Sequence, residues 1–312
     1  MRILFYFLII IKLTFCIDLI DAAHFPSKSE AQTLLSSSDT FISNLSQFDI
    51  DSRVQKPNST IGQLISFISS QVQNWNDHDI QKIKSILKSI DISLSELGLI
   101  LPNIELIPFV KTTGLEEGGA DGYTRANYIV LSSGICQSSD VELKEIITHE
   151  LFHLYTRSDK IFRERMYNLI GFRLMNEVQY PEGMKENRIT NPDAQQTDSY
   201  IVLNMDGNNV ECMMVLFSGK EYEGGSFFDY LNVGFMKLTG EGTKHHFIEN
   251  EMPVIYNFQQ ISNFIEQVGL NTQYIIHPEE ILADNFAFLI NGKPNLKSQW
   301  LIENMKIELQ NN

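Results

Sequence analysis

His149 and His153 stand four residues apart, and Glu150 follows the first of them directly. On a helix, side chains at that spacing lie one above the other on a single face, so two imidazoles could close on one ion such as zinc. Glu150 would then bring its carboxylate near the ion's open position, where it could take a proton from water. With seven histidines in 312 residues, chance produces this pattern in on the order of one such chain in a hundred, so it needs support from a further ligand. A catalytic zinc takes three protein ligands and a water. No histidine occurs in Leu154-Tyr155-Thr156-Arg157-Ser158-Asp159, so the third ligand must come from elsewhere. The best source is His277-Pro278-Glu279-Glu280-Ile281-Leu282-Ala283-Asp284. Glu280 and Asp284 are one turn apart on a helix expected to begin near Pro278. Glu280 could bind the ion, and Asp284 could accept a hydrogen bond from the outer nitrogen of a ligand histidine. Glu279 is the nearest rival ligand and Asp284 a lesser one. Acids in a helix's first turn also have a plain structural use against the helix dipole.

Taken together, His149, Glu150, His153, Glu280 and Asp284 resemble the pattern of the gluzincin metallopeptidases, the thermolysin-like group. In that group His-Glu-x-x-His lies on one helix and Glu-x-x-x-Asp on a later one. The resemblance covers residues 100–160 and 275–292. It implies a zincin-like α+β domain, with a small mixed sheet packed on the motif helix and a mainly helical carboxyl-terminal part. It also implies zinc held by His149, His153 and Glu280, with Asp284 behind them, Glu150 as general base, and a peptide or protein substrate. The strand Tyr128–Ser132 looks like the edge strand that aligns an extended substrate in that group. The chain departs from the group in the separation between His153 and Glu280, which is much longer than usual. Either a large insert lies between the two helices or another acid is the ligand. The group also uses a His or Tyr to donate to the developing oxyanion. None follows Glu280, so the donor must come from Tyr200, Tyr274, His245, His246 or His277. Tyr200 is the favoured candidate, because it follows Asn191-Pro192-Asp193-Ala194, a turn-forming segment that could line a cleft.

Several elements are needed to position these residues. Ile61, Leu64, Ile65 and Ile68 recur at helical spacing, as do Ile80, Ile83, Ile86, Leu87 and Ile90. Residues 104–110 are apolar and β-branched, residues 114–122 form a glycine-rich turn, and Tyr128–Ser132 is a compact strand. Ser139 with Glu142 is a capping box opening the motif helix. Residues 179–242 mix short strands with glycine turns, and a helix is expected over 256–268. Residues 23–60, rich in Ser, Asn, Asp and Gln, read as a loosely packed arm, and residues 61–312 as the catalytic domain with an insert over about 160–275.

The first residues carry a different signal. A basic start, the apolar run 3–11 and its resumption to Cys16 have the layout of a secretory signal, with cleavage after Cys16 or Ala22. This predicts a secreted or extracytoplasmic protein, with an uncleaved membrane anchor as the alternative. Export would permit Cys136 and Cys212 to pair, against two buried free thiols. A net charge of −15 without a basic cluster argues against nucleic-acid and anionic-membrane partners. A catalytically inactive metal-binding or envelope protein on the same fold is the competing expectation.

Overall fold

The apolar residues of the motif segment are spread around the helix rather than confined to one stripe, as expected for a helix covered on all sides. The computed structural model describes residues 18–241, 244–246 and 253–311. In it the motif helix spans Asp140–Ser158 and every residue from Glu150 to Thr156 is buried. Its start is the expected capping box: the Glu142 amide donates to Ser139 Oγ at 3.2 Å and the Ser139 amide donates to Glu142 Oε2 at 3.0 Å. The second helix of the site, here the carboxylate helix, spans Pro278–Asn291 and ends on Gly292 at φ 62°. Glycine takes that left-handed position without the penalty of a Cβ. The two helices are joined by an aromatic cluster, with the Phe286 ring centroid 5.5 Å from Phe152 and 6.2 Å from Tyr155.

A four-stranded sheet lies against the motif helix. Its strands are β1 (Ala23–His24), β2 (Ile107–Thr112), β3 (Gly122–Arg125) and β4 (Tyr128–Ser132), in the order β1-β2-β4-β3. β1, β2 and β4 are parallel, and β3 is antiparallel to β4. The period-two alternation of side chains divides this sheet cleanly. Ile107, Phe109, Ile129 and Leu131 join the main core with the motif helix, while Val110, Tyr128 and Val130 face a second apolar cluster. This corrects the edge assignment. Tyr128–Ser132, buried throughout, is interior; the outer strands are the two-residue β1 and β3, which begins at the last glycine of the turn.

The second cluster is closed by residues read from sequence as a loose arm. Helices at Lys28–Ser36 and Thr40–Asn44 bury Ala31, Leu35, Phe41 and Ile42 against Leu64 and Ile68 of the helix Ile61–Gln71, and a helix at Gln47–Val54 packs Ile50 and Val54 on the same cluster. Polar residues misled the reading because three of them are caps. Ser27, Asp39 and Ser46 each accept the amide hydrogen three residues on, which satisfies a free donor at a helix start. The apolar leader run lies outside the described residues. Leu19 and Ala22 are buried in the main core, so a boundary at Ala22 would remove core residues.

The long insert is not helical in the main. After β5 (Phe172–Leu174) come β6 (Ser199–Met205), β7 (Asn208–Ser218), β8 (Leu231–Lys237), the hairpin β9 (Thr239–Glu241) and β10 (Lys244–His246), and β11 (Ile255–Tyr256). β5 to β8 and β11 form an antiparallel sheet in the order β11-β8-β7-β6-β5. The carboxyl half thus carries a five-stranded sheet beside its helices, and the helix expected over 256–268 is reduced to Phe264–Val268. Cys136 and Cys212 are both buried free thiols. No helix among the described residues is long and apolar enough to cross a membrane.

Candidate metal centre

His149 and His153 project from one face of the motif helix with ring centroids 4.8 Å apart. The carboxylate helix brings Glu280 to both: Glu280 Oε2 is 3.0 Å from His149 Nε2 and 3.6 Å from His153 Nε2. A tetrahedral ion about 2.0–2.1 Å from each donor requires donor separations of roughly this size. One donor atom from each of the three residues lies within 4.8 Å of the others. His153 is fully buried, and its Nε2 has no hydrogen-bond partner among the described residues. A buried polar nitrogen with no partner is costly, and an ion at this point would satisfy it.

The outer nitrogens are both held by acids. His149 Nδ1 is 2.9 Å from Asp284 Oδ1, and His153 Nδ1 is 3.2 Å from Glu279 Oε1. With Nδ1–H donated to a carboxylate, each ring directs its Nε2 inward, where it could be given up to an ion. The acids are fixed in turn. Glu279 accepts from Tyr167 Oη at 2.6 Å and from the Thr156 hydroxyl, Asp284 accepts from the Thr272 hydroxyl, and Glu280 Oε1 accepts from Asn191 Nδ2 at 2.6 Å. Glu279, weighed from sequence as a rival ligand, thus supports His153 from behind. His277 caps the carboxylate helix, its Nδ1 accepting the Glu279 amide hydrogen at 3.2 Å. Burial holds the His277 pKa down at about 4, which keeps that nitrogen an acceptor.

The electrostatics follow from the burial of opposed charges. Burial alone would lower the His153 pKa, but Glu280, Asp193 and Glu279 outweigh it and lift it to about 9. The His149 pKa is also raised well above its usual range, because Asp284 and Glu280 overcome its burial. Glu280 goes the other way: the two histidines and Asn191 overcome burial and hold it at about 2. Glu150 is pushed up to about 8, first by burial and then by the charge of Asp193, against the lowering effect of the histidines. Its Oε2 is buried with no hydrogen-bond partner among the described residues. A divalent cation bound here would displace the protons these shifts favour, with two neutral imidazoles and one carboxylate as its donors and the Glu150 carboxylate beside it to move a proton.

Gly122 lets this helix approach the sheet edge. A Cβ there would lie 2.9 Å from Glu150 Oε1 and 2.8 Å from Ile146 Cγ2. Sequence reasoning missed this contact, and it missed the roles of Asn191 and Asp193. The segment Asn191-Pro192-Asp193-Ala194 does line the site, and one donor atom each from Asp193, Glu150 and His153 lies within 4.8 Å of the others. Tyr200, favoured as oxyanion donor, is elsewhere. Strand alternation in β6 sends Ile201 and Leu203 into the main core and Tyr200 to the opposite face, where its ring packs 4.3 Å from His245. His245 is occupied by Glu211, at 3.0 Å. Of the two tyrosines weighed as donors, Tyr274 is the one that lines a pocket with Asn191 and Asp193. Although the residue is partly exposed, burial of its phenol and the charges of Glu280, Asp193, Glu150 and Asp284 raise its pKa well above the ordinary value. Comparison with protein families, with curated proteins and with solved structures finds no match for this chain.

Proposed function

We propose that this chain is a secreted zinc-dependent peptidase with a zincin-like fold, using His149, His153 and Glu280 as ligands. The observation that carries the reading is the convergence of two inward-facing imidazole nitrogens and one buried carboxylate from distant helices beside the unpaired Oε2 of Glu150. Zinc bound there would polarise a carbonyl and lower the pKa of a water. Glu150 accepts the proton of the attacking water at Oε2 and then delivers it to the leaving amine. β3 is an outer strand, and an extended peptide could pair with it on displacing the Asp193 carboxylate from the Thr124 amide. Tyr274, with its phenol held protonated, is the donor for the developing oxyanion. The apolar leader run supports export.

Zinc content and hydrolysis of a peptide library, measured together on the wild type and on Glu150→Gln, test the reading. The wild type is expected to bind one zinc and to cleave. The variant should keep its zinc and lose activity by about 10²–10⁴-fold. A variant retaining both zinc and full rate would remove Glu150 as base. A wild type that binds zinc and cleaves nothing in the library would leave a metal-binding protein without this catalysis.

A further inference from the structure

The cavities at the two ends of β3 differ in chemistry. At the Gly122 end a small pocket is lined by Tyr274, Phe227, Phe228 and Ile276. At the Ala126 end a larger cavity, of about 380 Å³, is lined by Arg157, Lys160, Arg163 and His277 together with four acids. Those acids are already taken. Asp39 pairs with Arg125 at 2.8 Å, Asp198 with Arg163 and Glu279 with His153, and Asp193 Oδ1 accepts from the Thr124 amide and hydroxyl. The cations are not all taken. Arg157 donates to the Ala126 carbonyl at 2.9 Å, the Asp193 carbonyl at 3.0 Å and Thr124 Oγ1 at 2.9 Å. It forms no ion pair among the described residues, and its Nε has no acceptor there. Lys160 is exposed and makes neither a hydrogen bond nor an ion pair among the described residues. His277 adds a neutral donor: with Nδ1 accepting from the Glu279 amide, its hydrogen sits on Nε2, which has no partner among the described residues. A cavity whose positive charge and N–H donors exceed the acceptors left for them is complementary to an oxyanion.

Its position relative to β3 points to the source of that oxyanion. Arg157 Nη2 donates to the hydroxyl of Thr124, the residue whose amide a substrate strand would take from Asp193, so a peptide pairing there runs beside Arg157. Gly122 abuts Glu150, and at about 3.3 Å per residue Ala126 lies about 13 Å farther along the strand. We propose that the cavity is an anionic subsite of the cleft, in which Arg157, Lys160 and His277 receive a peptide carboxylate, from an acidic side chain or a chain terminus, roughly four extended residues from the bond that is cut. This rests on the peptidase reading and names its substrate class: peptides that carry an acid at that distance.

Binding and cleavage, read separately, test this. Labelled peptides carry one Glu moved position by position through an uncharged sequence, each matched by its Gln counterpart, and a parallel set compares a free carboxyl terminus with an amide. Affinities are measured by fluorescence anisotropy on the zinc-loaded full chain carrying Glu150→Gln, and cleavage on the wild type. Peptides with the acid at the matching distance should bind about tenfold more tightly than their neutral counterparts. Adding Lys160→Glu should abolish that preference and Lys160→Gln should shrink it, with Tm unchanged in both because Lys160 holds no partner. Equal binding of Glu and Gln peptides and of free and amidated termini, or a preference that survives Lys160→Glu, would overturn the subsite while leaving wild-type cleavage as evidence for the peptidase. A Lys160-dependent preference in binding, with no peptide cleaved, would keep the subsite and overturn the peptidase reading. Inorganic phosphate that raises Tm in the wild type but not in Lys160→Glu, with no acid preference among the peptides, would assign the cavity to a free anion and overturn the peptide subsite.

Discussion

Glu279 and Glu280 are adjacent and chemically identical, yet one residue's rotation on the helix, about 100°, turns them to different nitrogens of the histidine pair. Glu280 meets both Nε2 atoms and Glu279 meets the Nδ1 of His153. Supporting acids behind ligand histidines typically contribute 10–100-fold in metal affinity. Glu279→Gln keeps an acceptor and loses the charge, so zinc affinity should fall by about tenfold in competition with a chelating dye; an unchanged affinity would mean that His153 does not depend on it. Gly122→Ala tests the opposite face of the site. Its backbone is ordinary, so the effect comes from the added methyl meeting Glu150 and Ile146. Overpacking of this kind costs about 1–3 kcal/mol, and Glu150 should be displaced, so denaturant midpoint and turnover should fall together while zinc is retained. Five residues of the site were legible because helix spacing ties His149, Glu150 and His153 to one another, and Glu280 to Asp284. Asn191 and Asp193 were not, since they belong to a loop with no periodicity, and Asn191 reaches Glu280 across 89 residues. Tyr200 and Tyr274 could not be told apart by residue type. Only the pairing of β6 decides which way Tyr200 points.

At the scale of elements, the centre exists because two helices far apart in sequence are locked side by side. Their ends were readable: Ser139 with Glu142 opens one, and Pro278 and Gly292 bound the other. Their contact was not readable, because it depends on Phe152, Tyr155 and Phe286, whose apolar character fits any core. Truncating a buried phenylalanine typically costs about 3–5 kcal/mol. Phe286→Ala should therefore lower the unfolding free energy by about that amount, with zinc affinity falling as well, because the donors lose their register. Stability lost with zinc affinity fully kept would show that the donor geometry does not depend on this packing. The strand order was hidden for a similar reason. β4 reads as a strong strand, but its burial on both faces makes it interior, and the outer place beside it falls to Gly122–Arg125, whose glycine and polar residues read as turn. The amino-terminal helices were obscured by their own caps, since Ser and Asp at helix starts look like loop composition until the helices are seen.

Across the whole molecule, the amino-terminal layer, the four-stranded sheet and the five-stranded insert all reach the same centre. Helix Gln47–Val54 anchors the loop at Thr190, β3 presents Thr124 to Asp193, and the insert supplies Asn191 to Glu280. Metal binding should consequently be felt as global stability, with a definite dependence on pH. Stripped of metal, the chain holds His153 with a pKa near 9, above the usual value near 6.5, because the surrounding acids favour imidazolium. A pKa raised by folding stabilises the folded state fully below the unfolded value, and that contribution is lost as pH rises through the folded value. The metal-free protein should therefore lose stability between about pH 6.5 and 9. Zinc needs the imidazoles neutral, so its affinity should move oppositely, rising about tenfold per pH unit for each proton displaced. The Tm difference between zinc-loaded and chelator-treated protein, measured by calorimetry at several pH values across that range, should widen steadily as pH increases. His149→Ala removes one of the two titrating imidazoles and a ligand together, so in that variant the widening should collapse. A Tm difference that stayed flat in the wild type would mean that zinc does not compete with protons at His149 and His153, and so does not bind through them.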